Sequence, residues 1–380
     1  MRRGDRRGRR PAPIGVFAVE STTAQVCWAS LDAGEIVVAV GERCSEVDWD
    51  GGPGGVVLEG LPAGRRLPVS VRHGGTEIYA GTTATLPSLP GEPLTRFATL
   101  NDVHLGCSWF SAAGIMRERV PAGAEVSANR CARSAVAAAL EWGAERLVIK
   151  GDLVQRGLHE EWDAAERIFG DLPVPLDVCL GNHEVLSKPS VLPTPEGLAR
   201  LGVELEAPVR IRDLDGLRLV MADTAVHGRH DGSVAHLHAD LVAAADVDVP
   251  VMVFVHHDLE PSPTTIPFPR GVRAREAVPL LDDLARVNPA VFVTTGHTHR
   301  HRRHMRGAIP VVEVGSPKDY PGVWCGYEVT TAGVRQVVRR VTGRDCMEWT
   351  ERTGRALGGF WRRWSPGLLE DRCFIHRWPV

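Results

Sequence analysis

The chain has 380 residues, 43% of them hydrophobic, with 44 basic against 47 acidic side chains and a formal net charge of -3. That length is enough for two or three units with a large buried core, and the near-balanced charge excludes a protein whose whole surface is drawn to nucleic acid. The eight cysteines form no Cys-x-x-Cys pair and no framework spacing, which argues for reduced, mostly buried thiols.

Residues 1–13 read as a disordered basic tail, because Arg2 to Arg10 give way to Pro11-Ala12-Pro13 where a secretory signal needs a continuous apolar stretch. No later stretch approaches 18 uncharged apolar residues, so no membrane span is expected and a cytoplasmic protein is. Over 14–86 short β-type runs at 16–19, 24–28, 35–40, 56–58, 67–72 and 77–80 predict a small antiparallel sandwich. Asp50-Gly51-Gly52-Pro53-Gly54-Gly55 and Gly74-Gly75 mark its turns. Residues 87–95, opening on Pro87-Ser88-Leu89-Pro90-Gly91-Glu92-Pro93, read as a linker.

A different rhythm of strand, loop, helix and strand runs over 96–342. Strands are expected at 97–100, 147–149, 176–180, 249–255 and 290–294, helices at 125–142, 160–169, 234–245 and 275–287, and a hairpin at 209–223 turning on Asp215-Gly216. The runs at 309–314, 326–329 and 334–341 read as antiparallel strands completing a second sheet. The mixture predicts an α/β fold with helices outside. Residues 343–380 contain Trp349, Trp361, Trp364 and Trp378 and read as amphipathic cover packed on the preceding unit.

Five polar clusters each follow a β-like run: Asp102-Val103-His104, Gly151-Asp152, Gly181-Asn182-His183-Glu184, His256-His257 and Gly296-His297-Thr298-His299. Strand ends of one sheet edge bring such clusters together. In an extended chain residues i and i+2 share a side, so Asp102 with His104, and His297 with His299, can each reach one ion. A carboxylate can bridge two cations, and imidazoles with an amide oxygen fill the remaining positions of a mixed O/N set suited to Mn, Fe, Zn or Co. The glycines at 151, 181 and 296 are expected where the backbone turns sharply from strand to loop.

This ordered pattern resembles the calcineurin-like metallophosphoesterase superfamily over 97–317. The resemblance implies two packed mixed β-sheets flanked by helices, in α/β/β/α layers, preceded here by a small all-β sandwich similar to that of purple acid phosphatases. It implies two divalent metal ions, with Asp102, His104 and His299 on one, Asn182, His256 and His297 on the other, and Asp152 bridging them. It places His183 beside the phosphate without binding metal, where the ring can donate a proton to the leaving alkoxide or stabilise its charge, and Asn182, His183 and His227 are the expected substrate contacts. The segment 222–232 is similar to a loop of class III cyclic nucleotide phosphodiesterases and glycerophosphodiesterases. Two departures stand out: Gln155 replaces the Asp or Asn that many relatives carry three residues after the bridging aspartate, and no tyrosine lies near Asp152 for a purple iron centre.

Only Asp102 and Asp152 are anionic in that donor set, so two divalent ions leave the site net positive and attractive to a phosphate ester. The expected activity is therefore in-line attack by a metal-bridging hydroxide on a small-molecule phosphate ester, leaning to diesters over monoesters. A non-catalytic phospho-ligand or partner-binding protein is the alternative. Nucleic acid is not an expected partner. Supporting roles are expected for His257 as a packing or orienting ring, Glu184 as a group orienting His183, and Asp223. The run from His299 to His304 reads as a solvated turn from which Arg300 or Arg302 can approach phosphate, and Cys107 is excluded as too soft a ligand.

Overall fold

A computed structural model describes residues 14–111, 114–185, 192–261 and 269–379. The basic tail expected at 1–13 lies outside the described residues.

The N-terminal strands form two antiparallel sheets, one of Ile14–Val19, Ala24–Leu31 and Gly52–Leu58, the other ordered Arg43–Trp49, Gly34–Val40, Arg66–His73 and Thr76–Ala84. Ile36, Val38, Val40, Val69 and Val71 alternate inward and are buried, as the period of a pleated strand requires. Two features differ from expectation. Arg43–Trp49 is a strand that polar composition concealed: it is an edge strand with little to bury. Gly52 to Gly55 belong to a strand rather than a turn. A Cβ on Gly54 would stand 2.4 Å from Trp49 and 2.8 Å from Trp28, so the bare backbone makes room for those two rings, packed edge to face at 5.1 Å.

Beyond this pair lie two six-stranded mixed sheets. The first runs in the order Leu176–Cys179, Leu147–Lys150, Pro93–Leu100, Val323–Thr330, Gly333–Arg340 and Phe374–Arg377. The second runs Val209–Leu214, Leu217–Ala222, Val251–Val255, Val291–Thr295, Ile309–Glu313 and Arg302–Arg306. Their facing sides share one core, in which Phe97 meets Phe254 at 5.6 Å and Tyr327 at 5.1 Å. Helices Ser127–Glu141 and His159–Phe169 cover the outer face of the first sheet through Cys131, Ala132, Ala135, Trp162 and Ala165. Helices His238–Ala245 and Ala274–Val287 cover the second through Leu241, Leu280, Leu281 and Leu284. The result is the expected α/β/β/α arrangement.

The late strands divide differently from the expectation. Ile309–Glu313 joins the second sheet parallel to Val291–Thr295, while Val323–Thr330 and Gly333–Arg340 join the first. All three are buried on both faces, so composition marks them as strands without choosing their partners. Phe374–Arg377, inside the Trp-rich segment, adds an edge strand. Helix Arg344–Gly354 packs against Ser127–Glu141 and Gly52–Leu58. Trp349 and Trp378 are buried, whereas Trp361 and Trp364 are half-buried. All eight cysteines are unbridged, and only Cys44 is exposed. Among the described residues no helix is long and apolar enough to cross a membrane.

Candidate metal centre

The five clusters do converge, at the ends of strands from both sheets. Pro93–Leu100 leads into Asp102 and His104, Leu147–Lys150 into Asp152, Leu176–Cys179 into Asn182 and His183, Val251–Val255 into His256, and Val291–Thr295 into His297 and His299. The pleat is not what aims them. Asp102, His104, Asp152, His297 and His299 all have left-handed φ, between 50° and 69°. Such a residue costs about 1–2 kcal/mol relative to the right-handed form, and five of the seven non-glycine cases in the described chain sit here. The loops hold that strain by pairing with each other: Asp102 N–H donates to Gly151 O (3.0 Å), His104 N–H to Asp152 O (2.8 Å) and Gly296 N–H to His256 O (2.8 Å).

The glycines serve two ends. Gly151 has φ +83°, the turn expected of it. Gly181 instead lets the chain approach closely, since a Cβ there would lie 2.2 Å from Asp152 Oδ1.

Asp152 stands at the middle. Its Oδ1 accepts the His183 N–H at 2.9 Å, while Oδ2 lies 3.4 Å from His256 Nε2, 3.7 Å from His104 Nε2 and 3.9 Å from His183 Nε2. On one side Asp102 Oδ1 faces His299 Nε2 at 3.2 Å, and His299 Nε2 faces His104 Nε2 at 3.3 Å. On the other, His256 Nε2 is 3.3 Å from Asn182 Oδ1 and 3.2 Å from His297 Nδ1. All seven donors expected from the sequence are thus brought together.

The outward ring nitrogens decide what the inward ones present. His256 Nδ1–H donates to Lys150 O (2.8 Å), His297 Nε2–H to Arg270 O (3.1 Å) and His299 Nδ1–H to the Asp319 carboxylate (2.6 Å). Carbonyl and carboxylate oxygens only accept, so each neutral ring points a lone pair inward. Lone pairs set 3.2–3.4 Å from one another and from carboxylate oxygens repel unless protons or metal cations lie among them. Asp102 Oδ1 is buried with no hydrogen-bond partner among the described residues. Burial disfavours charge on His256 and His299, yet the neighbouring aspartates outweigh it and raise both to about 9. Burial and the charge on His256 push His297 down to about 3. The Asp, His and Asn donors so placed form groups with the geometry to hold divalent cations.

A calcineurin-like phosphoesterase model matches residues 95–301, more than half of the chain. The chain belongs to the calcineurin-like phosphoesterase family. This phosphoesterase is accordingly a metal-dependent hydrolase of phosphoric esters, and the family's binuclear chemistry fits the paired clusters described above. Among solved structures it is similar to a dimetal phosphatase from Danio rerio, at 15% identity over 76% of this chain and 100% of that one, with a TM-score of 0.52. It is also similar to a purple acid phosphatase from yellow lupin (14% identity, 87% and 72% covered, TM-score 0.45) and to PhoD (10%, 87% and 87%, 0.44). No curated protein sequence matches it.

Several expected supports of the phosphoesterase centre turn out otherwise. Glu184 does not orient His183; its carboxylate accepts the N–H groups of Asp152 (2.9 Å), Val154 (3.1 Å) and Gly181 (2.8 Å) and so ties two metal-site loops together. His183 Nδ1–H donates to the main-chain carbonyl of Gln155 at 2.7 Å, and the Gln155 side-chain amide nitrogen lies 3.3 Å from the same ring nitrogen. Arg300 and Arg302 are not free for phosphate: Arg300 donates to Glu313 (2.8 Å), Arg302 to Asp258 (3.0 Å), and Arg302–Arg306 is an edge strand, not a solvated turn. Asp223 is held by both Nη atoms of Arg210 (2.6 and 2.9 Å) and by Leu180 N–H. His227 is exposed and makes no hydrogen bond to the cluster among the described residues. His257 sits closer than expected. Its ring is 4.6 Å from His297, Nδ1 meets the Thr224 hydroxyl at 2.9 Å, and Nε2 is buried without a partner among the described residues.

Three residues escaped the sequence reading. Lys150 is fully buried and joins the two sheets beneath the centre, donating to Thr294 Oγ1 (2.8 Å) and Thr295 O (2.7 Å). Asn101 Nδ2 donates to Asp102 Oδ2 (2.6 Å) and Val314 O (2.9 Å). Asp319 closes the run Ser316-Pro317-Lys318-Asp319, a sixth polar cluster following a strand, which was the available signal. Replacing Asp319 by Asn is expected to weaken metal loading by about 10–100-fold, the usual cost of losing a partner that orients a ligand. Titrating metal into the variant and the parent tests this, and equal affinities would refute the orienting role.

Proposed function

We propose that Asp102, His104 and His299 hold one divalent ion, Asn182, His256 and His297 the other, and Asp152 is shared, in a centre that hydrolyses a small phosphodiester. The observation that carries this is the position of Asp152 Oδ2 between His104 and His256 at 3.7 and 3.4 Å, with a separate donor group on either side. When bound, Mn, Fe, Zn or Co ions supply Lewis acidity that lowers the pKa of water and withdraws charge from phosphoryl oxygens. The chain's own groups do the rest. Asp152 and Asp102 hold the ions close, and Asn182 offers a neutral oxygen that leaves the site net positive for an anionic ester.

His183 commits Nδ1–H to Gln155 O and turns Nε2 toward the centre, half-buried, where the imidazolium form can hand its Nε2 proton to a leaving alkoxide. The diester leaning rests on the 222–232 segment. It packs on the centre's flank, with Thr224 on His257 and Gly232 so near that ring that a Cβ would stand 2.5 Å from it. That placement supports a substrate-facing wall, with His227 on it. The unbridged buried thiols support a cytoplasmic location.

Metal-loaded protein assayed on bis-p-nitrophenyl phosphate and p-nitrophenyl phosphate is expected to favour the diester in kcat/KM. No turnover with any of Mn, Fe, Zn or Co would sink the reading, whereas a monoester preference would overturn only the diester part. His183→Asn is expected to cut kcat about 10²–10⁴-fold, the range for a lost proton donor, with metal content unchanged. Loss of metal from that variant would contradict the role given to His183.

A further inference from the structure

A second recess of about 610 Å³ opens between the N-terminal three-stranded sheet and the C-terminal segment. That size falls in the range of small-molecule sites. None of the seven metal-site donors lines it. Its charged lining is Arg66, Arg340, Arg362, Arg363, Arg372 and Glu351, five guanidinium groups against one carboxylate. That carboxylate is already taken, by Arg340 Nη1 at 2.8 Å and by Arg362.

Arg372 is the informative member. It is 6% exposed, and among the described residues its guanidinium bonds are to main-chain carbonyls alone: Phe17 O at 3.0 and 3.2 Å, Pro366 O at 2.5 Å and Gly367 O at 3.2 Å. Buried guanidinium groups ordinarily face a carboxylate or a phosphate. Arg340 is 4% exposed and lies 5.1 Å over the Tyr320 ring, and Arg372 lies 4.4 Å over Phe17. Phe17, Trp28, Tyr79 and Tyr320 thus line the same space with apolar surface beside uncompensated positive charge. Residues 1–13 carry six arginines and one aspartate, so their composition adds no net negative charge.

We propose that this recess is a second, metal-independent binding site for a small organic anion, a phosphate or carboxylate group borne on an aromatic or apolar body. The anion sits among the guanidinium groups, whose planar donors match such oxygens. The body lies on the rings. Tyr320 lines the recess and Asp319, its neighbour in the chain, holds His299, so the two sites share a loop.

Calorimetric titration of the metal-loaded protein with phenylphosphonate, which is not hydrolysed, tests the proposal, with benzoate as a second arm. Two binding events are expected, and the one at the recess is expected to persist in Asp152→Asn protein. Arg372→Met should abolish that event. Because losing Arg372 also removes its bonds to Phe17, Pro366 and Gly367, the folded rim variant Arg66→Gln/Arg363→Gln serves beside it, with an expected loss of about tenfold in affinity. Binding of phenylphosphonate assigns phosphate-type ligands and binding of benzoate assigns carboxylates. If neither binds Asp152→Asn protein, or if the rim variant binds as the parent does, the proposal falls. The use of Asp152→Asn separates this outcome from any failure of the metal-centre reading.

Discussion

Asp152→Asn protein is expected to lose phosphoesterase turnover below detection and to load metal at least about a hundredfold more weakly. Removing one member of a buried ionic group costs about 3–5 kcal/mol, and each 1.4 kcal/mol is about tenfold in affinity. The location makes Asp152 the costliest position: Oδ2 is within 4 Å of three imidazole nitrogens and Oδ1 anchors the His183 main chain. An amide keeps the shape and the Oδ1 bond but removes the negative charge at the middle of the cluster. Metal analysis together with kinetics on bis-p-nitrophenyl phosphate reads both effects. Full metal occupancy with normal turnover in this variant would remove Asp152 from the centre.

Gly181→Ala is expected to reduce turnover about a hundredfold, the cost of displacing a catalytic group by about 1 Å, although residue 181 is no donor itself. The added methyl carbon would stand 2.2 Å from Asp152 Oδ1 and 2.4 Å from Asp152 N, so the central carboxylate must move. Overpacking of this kind also costs about 1–3 kcal/mol of stability. Gly15→Ala is the matched control: nothing lies within 4 Å of its added Cβ, and its stability should change by no more than about 0.5 kcal/mol. Thermal melts and kcat on both variants check the pair. Unchanged kcat for Gly181→Ala would show that the carboxylate has room the geometry does not reveal.

Legibility from sequence was uneven in an instructive way. Helices such as Ser127–Glu141 and Ala274–Val287 were readable because their buried residues repeat at helical spacing, and the hairpin of Val209–Leu214 with Leu217–Ala222 because Asp215-Gly216 marks its turn. The edge strand Arg43–Trp49 was not, since an edge strand gains its place from main-chain pairing rather than from apolar content. Gly52 to Gly55 misled for a related reason: glycine marks a turn in sequence, but here it marks the close approach of two tryptophan rings. The i, i+2 argument for Asp102 with His104 and for His297 with His299 named residues that the fold does bring together, but by another geometry, because left-handed kinks rather than a pleat aim them.

The candidate donors, their order along the chain and the family they signify were legible in the sequence alone, because ligand chemistry resides in side-chain type and in spacings of a few residues. Only the tertiary structure decided how each donor is presented. His256 takes its orientation from the Lys150 carbonyl 106 residues away, and Lys150 in turn reaches Thr294 across 144 residues. Glu184, Asp319 and the Gln155 carbonyl acquire their partners in the same manner. Such contacts depend on how two sheets stack and on which strand lies beside which. These are properties of the whole packed core, and no local stretch of residues encodes them.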